Sequence, residues 1–336
     1  MMMVADQWRL PAEWEKQSAT LLAWPCRKTD WDGPLLAAVQ QEFVQLIEAI
    51  LVHQDVVLLV HPDAPPASGQ LPASPRLRII ELIYNDTWCR DYGPISLVNA
   101  GQRLALDFTF NGWGGKFDAS LDNRVNQALS RTACFENFQF RQHLFELEGG
   151  AIDCDGQGAI LLNWHCISQR YPQMSRGTLE QEILKLLEAE RILGIDIPPL
   201  PGDDTDGHID TIARFVNNDT IVFQQGDPEW TQNLREQLEG LRTRAGQSYQ
   251  LVALPAVSGT HVNEDGDTLA TSYANFLFIN QAVLVPNYGD AADHRALDIL
   301  RPLLPGHELI SLNARTIVQG NGSIHCCAMN LPAPLA

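Results

Sequence analysis

Chemically active side chains are densest where four acids and one histidine fall within eight residues, at Asp203, Asp204, Asp206, His208 and Asp210. In an extended backbone alternate side chains point to one face, so His208 and Asp210 are predicted to face a common site. A histidine beside a fixed carboxylate can donate and accept protons, but the same pair can also bind a metal ion. A solvated acidic loop is the third interpretation, and the choice among the three depends on the rest of the chain.

Three other segments place charged or nucleophilic residues beside turns. Residues 85–94 end in Gly-Pro, which forces a turn after a charged stretch. Glu148 directly precedes two glycines, which let the backbone approach a ligand or another strand closely. Residues 319–327 form a glycine-rich turn that leads into Cys326 and Cys327. A cysteine is usually a small buried hydrophobe, but one that is accompanied by a histidine and a carboxylate is a candidate nucleophile.

The abundance of acids favours a cationic substrate. The chain has 23 Lys and Arg against 41 Asp and Glu, a formal net charge of -18, so nucleic acid and anionic membrane surfaces are poor partners. Two carboxylates can hold a planar guanidinium in bidentate fashion and present its central carbon to a thiolate. A small cation is therefore the better partner.

Length and composition indicate a globular protein with a substantial core, since 45% of the 336 residues are hydrophobic and 19% are charged. The N-terminal residues lack a basic segment followed by a long apolar one, and no uninterrupted apolar run reaches membrane-spanning length. We therefore expect a cytoplasmic protein. Seven cysteines without Cys-x-x-Cys spacing argue against a disulfide framework or a zinc ribbon.

The apolar pattern predicts alternating helices and short strands. A helix is predicted over 35–53, with Pro34 in its first turn, and further helices after Thr178, after Asp227 and over 291–304. The short strands are predicted before Pro25 and at 56–60, 104–106, 160–162, 221–223 and 283–285. The last four begin roughly 60 residues apart, which predicts about five supersecondary units in a closed propeller-like ring or an open α/β sheet.

Seven short motifs, found in family order, resemble the agmatine deiminase family, also called the bacterial peptidylarginine-deiminase-like family, of the guanidine-modifying enzymes. They are Pro11-Ala12-Glu13-Trp14 with Trp24-Pro25, Asn85-Asp86-x-Trp88-x-Arg90-Asp91-x-Gly93-Pro94, Phe110-Asn111-x-Trp113-Gly114-Gly115-Lys116, Glu148-Gly149-Gly150, Asp206-Gly207-His208-Ile209-Asp210, Ser272-Tyr273-x-Asn275 and Gly320-x-Gly322-x-Ile324-His325-Cys326. The resemblance implies an α/β fold, a five-bladed α/β propeller of the pentein type with pseudo-fivefold repeats, formed as a single catalytic domain over residues 1–336.

The resemblance also implies a role for each matching residue. Cys326 becomes the nucleophile, His208 the general acid and then the base, and Asp91 and Asp210 the carboxylates that hold the guanidinium. Glu148 is implied as a further substrate contact. The other substrate-binding residues assigned from the motifs are Asp86, Trp88, Arg90 and Trp113. The resemblance implies no metal and no organic cofactor, a small cationic guanidino substrate as partner, and a homodimer.

The chain departs from the family pattern where the pocket beyond the guanidinium is expected. The turn reads Gly-Asn-Gly-Ser at 320–323 rather than Gly-Gly-Gly-Asn, Cys327 replaces a hydrophobic residue, and 163–172 also differs. Deimination of agmatine to N-carbamoylputrescine and ammonia is our first choice, and free or peptide-bound arginine are variants within the same class. A divalent-metal hydrolase and a non-catalytic polyamine-binding propeller are the alternatives from other classes.

Overall fold

The computed structural model describes residues 8–31, 33–257, 261–263 and 266–335, and the strands within these ranges form five sheets. The first sheet contains β1 (Gln17–Ala23), β2 (Asp55–Val60), β3 (Leu77–Glu81) and β16 (Ala328–Pro332). The second contains β4 (Ile95–Asn99), β5 (Gln102–Thr109) and β6 (Phe138–Glu146), and the third β7 (Ile152–Cys154), β8 (Ala159–Asn163) and β9 (Arg191–Ile195). The fourth contains β10 (Ala213–Asn217), β11 (Thr220–Gln224) and β12 (Gln250–Leu254), and the fifth β13 (Leu277–Ile279), β14 (Ala282–Asn287) and β15 (Glu308–Asn313).

The sheets repeat one connection pattern. An antiparallel hairpin is followed by a crossover to a third strand that pairs in parallel, as in β4, β5 and β6. The third, fourth and fifth sheets are connected in the same way. In the first sheet β16 takes the place of the first hairpin strand, antiparallel to β1, which joins the two ends of the chain. This fivefold repetition matches the predicted pentein-type α/β propeller, whereas the single domain over 1–336 stays a prediction.

The helices lie between the strands and cover their faces. They are α1 (Gly33–His53), α2 (Cys89–Tyr92), α3 (Gly112–Gly115), α4 (Val125–Leu129), α5 (Trp164–Arg170), α6 (Arg176–Leu186), α7 (Ile209–Ile212), α8 (Pro228–Glu239) and α9 (Asp293–Leu300). Asp227 caps α8 as predicted, by accepting from two backbone N–H groups. The predicted start of α6 at Thr178 is wrong, because Ser175 is the N-cap and its hydroxyl accepts from the Thr178 N–H. The last predicted helix is shorter than 291–304, because α9 passes into a 3₁₀ turn at Arg301–Leu303.

Helix α1 is long and apolar enough to cross a membrane by length and hydropathy alone. In this fold it buries one stripe, formed by Val39, Phe43, Leu46, Ile47 and Ile50, in the main core. A buried stripe with that three- and four-residue spacing is what the core helix of a globular protein shows. The length and hydropathy of α1 are therefore explained by its place in the core.

All seven cysteines lie in the described ranges and are free thiols.

Candidate active site

The predicted catalytic residues occupy equivalent places in successive units, just before the first strand of each hairpin. Asp91 lies in α2 before β4, Glu148 precedes β7, and His208 and Asp210 precede β10. Cys326 lies two residues before β16. Because the units repeat, equivalent positions from different parts of the chain meet at one site.

The fifth unit supplies Asn275, which lies just before β13. Its side-chain amide donates to Cys326 Sγ at 3.2 Å, and its side-chain oxygen accepts from the backbone N–H of His325 at 3.0 Å. Asn275 therefore fixes the thiol and the backbone that carries it. The sequence motif contained Asn275, but nothing in its spacing assigned it this role.

The prediction that His208 and Asp210 share an extended backbone is wrong. Residues Ile209–Ile212 form one helical turn with His208 at its N-cap. Both side chains still reach the site, where they surround Gly150: a Cβ on Gly150 would lie 2.6 Å from His208 Nδ1, 2.8 Å from Asp91 Oδ1 and 3.1 Å from Asp210 Oδ2. The predicted close approach at the double glycine is confirmed, because any side chain at this position would collide with all three groups.

Asp91 is held by two N–H donors. The backbone N–H of Gly150 donates to Oδ1 at 2.9 Å, and the indole N–H of Trp113 donates to Oδ2 at 2.9 Å. His208 Nδ1 lies 3.6 Å from the same Oδ1. Trp113 reaches this position from a turn of left-handed backbone, with its own φ at 55°. These contacts orient the carboxylate, and among the described residues its charged neighbour is His208 rather than a lysine or arginine.

Asp210 is held from behind by a second histidine. His325 Nδ1 lies 2.7 Å from Asp210 Oδ2, and His325 Nε2 lies 3.1 Å from Glu13 Oε2. Glu13 in turn bonds Arg214. Since ionised carboxylates only accept hydrogen bonds, the His325 ring satisfies both neighbours when it carries both protons. Both of its nitrogens are thereby occupied, so His325 is suited to positioning Asp210 rather than to transferring protons.

Several buried polar atoms at the site have no hydrogen-bond partner among the described residues. They are Asp210 Oδ1, Glu148 Oε2 and both ring nitrogens of His208. Buried polar groups are nearly always paired, so unpaired ones that cluster together indicate the position of a ligand. The two carboxylate oxygens call for a ligand rich in donors, and the free histidine is available for proton transfer.

A cavity of about 210 Å³ opens beside Cys326. Its walls contain the predicted residues Asp86, Trp88, Asp91, Trp113 and Cys326, together with Asp30, Trp31, Leu35, Phe117, Asp204, Thr205 and residues 319–322. Glu148, His208 and Asp210 are not in this lining, but His208 and Asp210 lie with Asp91 around Gly150. The Trp88 ring lies so close to the glycine-rich turn that a Cβ on Gly322 would be 2.4 Å from it. The altered turn therefore keeps a glycine where the indole requires one. Sequence reasoning missed Asp30 and Asp204 as pocket residues.

The comparisons with known proteins extend over the whole chain. The family model described as Porphyromonas-type peptidyl-arginine deiminase matches residues 9–332. The chain belongs to this peptidyl-arginine deiminase family. It is accordingly a deiminase of guanidino groups, a hydrolase that acts on the C–N bonds of linear amidines.

Solved structures of family members match both fold and length. A cysteine-to-serine variant of C. jejuni agmatine deiminase with substrate bound is 32% identical to this chain, and the two structures superpose with a TM-score of 0.89. The alignment covers 100% of this chain and 99% of the C. jejuni chain. Agmatine deiminase of Enterococcus faecalis is 28% identical with a TM-score of 0.88, covering 98% and 97%. A Legionella pneumophila (strain Paris) protein is 32% identical over 335 residues, which cover 96% of this chain and 95% of that protein. The predicted family and fold are confirmed.

The electrostatics of the deiminase site keep the thiol protonated before a ligand binds. Burial raises the pKa of the Cys326 thiol well above its ordinary value, and the charges of Asp210 and Asp91 add to the shift. A guanidinium between the two carboxylates would offset their charges and favour the thiolate. The nucleophile is therefore expected to ionise with the substrate in place.

His208 is electrostatically suited to donate a proton. Burial alone would lower the pKa of His208, but Asp91, Cys166 and Glu148 outweigh that effect and raise the pKa well above its ordinary value. The imidazolium thus persists at neutral pH. For Asp210, burial is outweighed by His325, and its pKa is lowered, so this carboxylate remains ionised.

Arg90 does not line the cavity beside Cys326, and its predicted contact with substrate stays a prediction. Its guanidinium donates to the carbonyl of His325 at 3.3 Å and to Asn330 Oδ1 at 2.6 Å. It lines a separate cavity of about 90 Å³ that also contains Glu13. Arg90 therefore holds α2 against the C-terminal strand and against the residue next to Cys326, which precedes that strand.

The metal-hydrolase alternative finds no support in the arrangement of donor side chains. Within the ranges that the structure describes, no group of three or more His, Cys, Asp or Glu side chains could hold a metal ion. Asp210, which was paired with His208 in the metal-binding alternative, is instead hydrogen-bonded to His325 at 2.7 Å. The prediction that no metal takes part stays a prediction.

Proposed function

We propose that this chain converts agmatine and water to N-carbamoylputrescine and ammonia through a covalent amidino adduct of Cys326. The observation that carries the proposal is the pair of buried, unpartnered carboxylate oxygens on Asp210 and Glu148, beside a histidine with two free nitrogens. A guanidinium offers only donors, arranged in a plane, so it can satisfy both oxygens at once. The solved relatives named agmatine deiminase support the same choice.

The first half of the reaction replaces a C–N bond by a C–S bond. Substrate charge favours ionisation of the Cys326 thiol, whose proton leaves to solvent, and the thiolate attacks the central guanidinium carbon. The imidazolium of His208 donates its proton to the departing nitrogen, which leaves as ammonia. An amidino thioether on Cys326 and a neutral His208 remain. Asp91 and Asp210 keep the carbon aligned with sulfur, because each holds donors of the same planar group.

The second half returns the enzyme to its starting state. Neutral His208 accepts a proton from water, and the hydroxide adds to the amidino carbon. The C–S bond then breaks with its electron pair on sulfur, and the hydroxyl proton of the adduct passes to that sulfur, which leaves the ureido product, the Cys326 thiol and the imidazolium of His208. No redox partner is needed, because atoms and electrons balance with water alone.

The tail of the substrate is assigned from the charges that line the cavity. Asp30, Asp86 and Asp204 line the cavity, and none of its described lining residues is lysine or arginine. Burial and the charge of Asp30 raise the pKa of Asp86 well above its ordinary value. Burial and Asp203 raise the pKa of Asp204 to about 6. The terminal ammonium of agmatine would relieve this repulsion, whereas the carboxylate of arginine would add to it.

A ureido-product assay on agmatine, free arginine and a peptidyl-arginine tests the assignment. We expect kcat/KM for agmatine to exceed the others by roughly 10- to 100-fold, since a charge-assisted contact contributes about 1.5–3 kcal/mol. Turnover of arginine at the agmatine rate would refute the tail assignment and leave the deiminase chemistry intact. Inactivation by iodoacetamide but not by a chelator is expected, and the reverse result would favour a metal hydrolase. A homodimer and a cytoplasmic location stay predictions.

Replacing Asp91 or Asp210 by asparagine should weaken guanidine binding and rate together. An amide presents N–H donors to an all-donor guanidinium, and in Asp91→Asn it also confronts the donors of Gly150 and Trp113. We expect each change to lower affinity by roughly 10- to 100-fold, with a further loss in kcat if the carbon is misplaced. Inhibitor binding by calorimetry and steady-state kinetics measure the two effects.

Asp155→Asn is the matched control for this pair. Asp155 is also buried and accepts from two backbone N–H groups, but it lies away from the cavity. We expect it to change stability without changing kcat/KM beyond about threefold. Wild-type kinetics in Asp91→Asn or Asp210→Asn, or rescue of either by added divalent metal, would contradict the proposed roles.

A further inference from the structure

A buried arginine lies behind the site and takes no part in the mechanism above. Arg170 is the last residue of α5, and its side chain is 1% exposed. Its Nε donates to Glu148 Oε1 at 2.6 Å, its Nη2 to the carbonyl of Thr205 at 3.0 Å, and its Nη1 to Asp206 Oδ2 at 2.6 Å. One guanidinium thus joins the third unit to the turn that opens the fourth.

The first consequence concerns Glu148, whose side chain is 2% exposed. A carboxylate buried to this extent requires a counter-charge to remain ionised. Arg170 supplies that charge and occupies one of the two carboxylate oxygens, so the other, Oε2, is left without a partner. Arg170 therefore pairs with the Glu148 carboxylate and determines which oxygen it offers to a ligand.

The second consequence concerns the turn that ends in His208. Asp206 and Gly207 have left-handed backbones, with φ of 67° and 89°, and the Thr205 hydroxyl accepts from the His208 N–H at 3.1 Å. Left-handed backbone is unfavourable for a residue with a Cβ, so the turn needs contacts that hold it. Arg170 provides two of them, through the carbonyl of Thr205 and the carboxylate of Asp206.

We propose that Arg170 is a positioning residue for deimination, which aims Glu148 at the guanidinium and fixes the turn that places His208. The inference rests on the proposed function. All three guanidinium nitrogens of Arg170 donate to protein groups, so it acts through its neighbours rather than on the substrate. Its segment, 163–172, is one of those that depart from the family pattern.

The test is steady-state and single-turnover kinetics of the full chain with agmatine for Arg170→Met and Arg170→Lys. Arg170→Met should lower kcat/KM by roughly 10- to 100-fold, because charge-assisted bonds are lost on both neighbours. KM should rise through Glu148, and the rate of adduct formation in a single turnover should fall through His208. Arg170→Lys keeps the charge but not the three-way geometry, so its loss should be smaller and concentrated in the single-turnover rate.

A double-mutant cycle separates this role from simple stabilisation of the fold. If Arg170 acts on binding through Glu148, then Arg170→Met combined with Glu148→Gln should lose less than the product of the two single losses. Arg191→Met is the matched control, because Arg191 also pairs with a buried carboxylate, Asp155, and donates to Tyr249. We expect the control to alter kcat/KM by less than about threefold.

Unchanged kcat/KM in a folded Arg170→Met protein, strictly multiplicative losses in the cycle, or an equal loss in Arg191→Met would each overturn the inference. If Arg170→Met does not fold, Arg170→Lys decides the matter, since full activity in it would show that geometry at this position is unimportant. Failure of the wild-type chain to deiminate any guanidine would instead refute the proposed function.

Discussion

Cys326→Ala should abolish turnover of agmatine while the protein stays folded. The substitution deletes the sulfur that, among the described residues, lies against Asn275 and Asp210, at 3.2 and 3.7 Å from their nearest side-chain atoms. Loss of a nucleophile on which every later step depends costs on the order of 10⁴- to 10⁶-fold in kcat. Removing one sulfur atom from the core costs about 1 kcal/mol of folding free energy. Initial rates, with thermal unfolding as the check on the fold, measure both.

Cys327→Ala is the matched control, because it makes the same chemical change one residue away. Cys327 is fully buried in the main core, and its carbonyl accepts from the Cys89 thiol. Its thiol is not among the groups that line the cavity. We expect most activity to survive, and the absence of iodoacetamide labelling at this position. An active Cys326 variant together with an inactive Cys327 variant would show that the terminal motif is assigned one residue out of place.

The same pair of variants tests the charge argument at the thiol. Because burial and two aspartates raise the pKa of Cys326, alkylation of the free enzyme near neutral pH should be slow and should accelerate as pH rises. A guanidinium compound that binds between Asp91 and Asp210 and leaves the sulfur accessible should accelerate alkylation at fixed pH. Fast labelling that does not depend on pH over the neutral range would contradict this.

Most of the catalytic set could be predicted from the sequence because each member lies in a short local motif. The fivefold spacing of the strands was also visible, since each unit buries its own apolar segments. The helical conformation at 209–212 could not be predicted, because side-chain alternation over three residues is compatible with a helical turn and with a strand. The packing of the following strand, β10, decides between them.

The supports behind the catalytic set could not be predicted, because they join segments that are distant in sequence. His325 bonds Asp210 across 115 residues and Glu13 across 312. In the sequence Glu13 is recognisable only as part of a motif, and Arg170 lies in a segment that departs from the family pattern. Arg90 shows the converse: a charged residue inside a motif of the active site that the fold uses to hold a strand.

Two buried histidines compete for the role of acid and base, and their environments distinguish them. His325 has a carboxylate on each ring nitrogen, whereas His208 has no hydrogen-bond partner on either among the described residues. Only a ring with a free nitrogen can give a proton to the departing group and later accept one from water. His325→Gln should therefore act through the orientation of Asp210, raising KM, while leaving the pH dependence of the proton transfers unchanged.

His208→Gln should reduce both halves of the reaction, each by about 10²- to 10⁴-fold, because glutamine can hydrogen-bond but cannot transfer a proton. Because the pKa of His208 is raised, the wild-type enzyme loses the imidazolium only as the pH rises through that elevated pKa, and kcat/KM falls there. The variant should lack this decrease at alkaline pH. Mass spectrometry should detect an amidino adduct on Cys326 that persists because water is no longer activated.

His61→Gln, at a buried histidine away from the cavity, should leave rate and pH profile unchanged. Within the described site, no other histidine ring with a free nitrogen lies beside Asp91. Normal turnover by His208→Gln, or an unaltered decrease at alkaline pH, would exclude His208 as the acid and base.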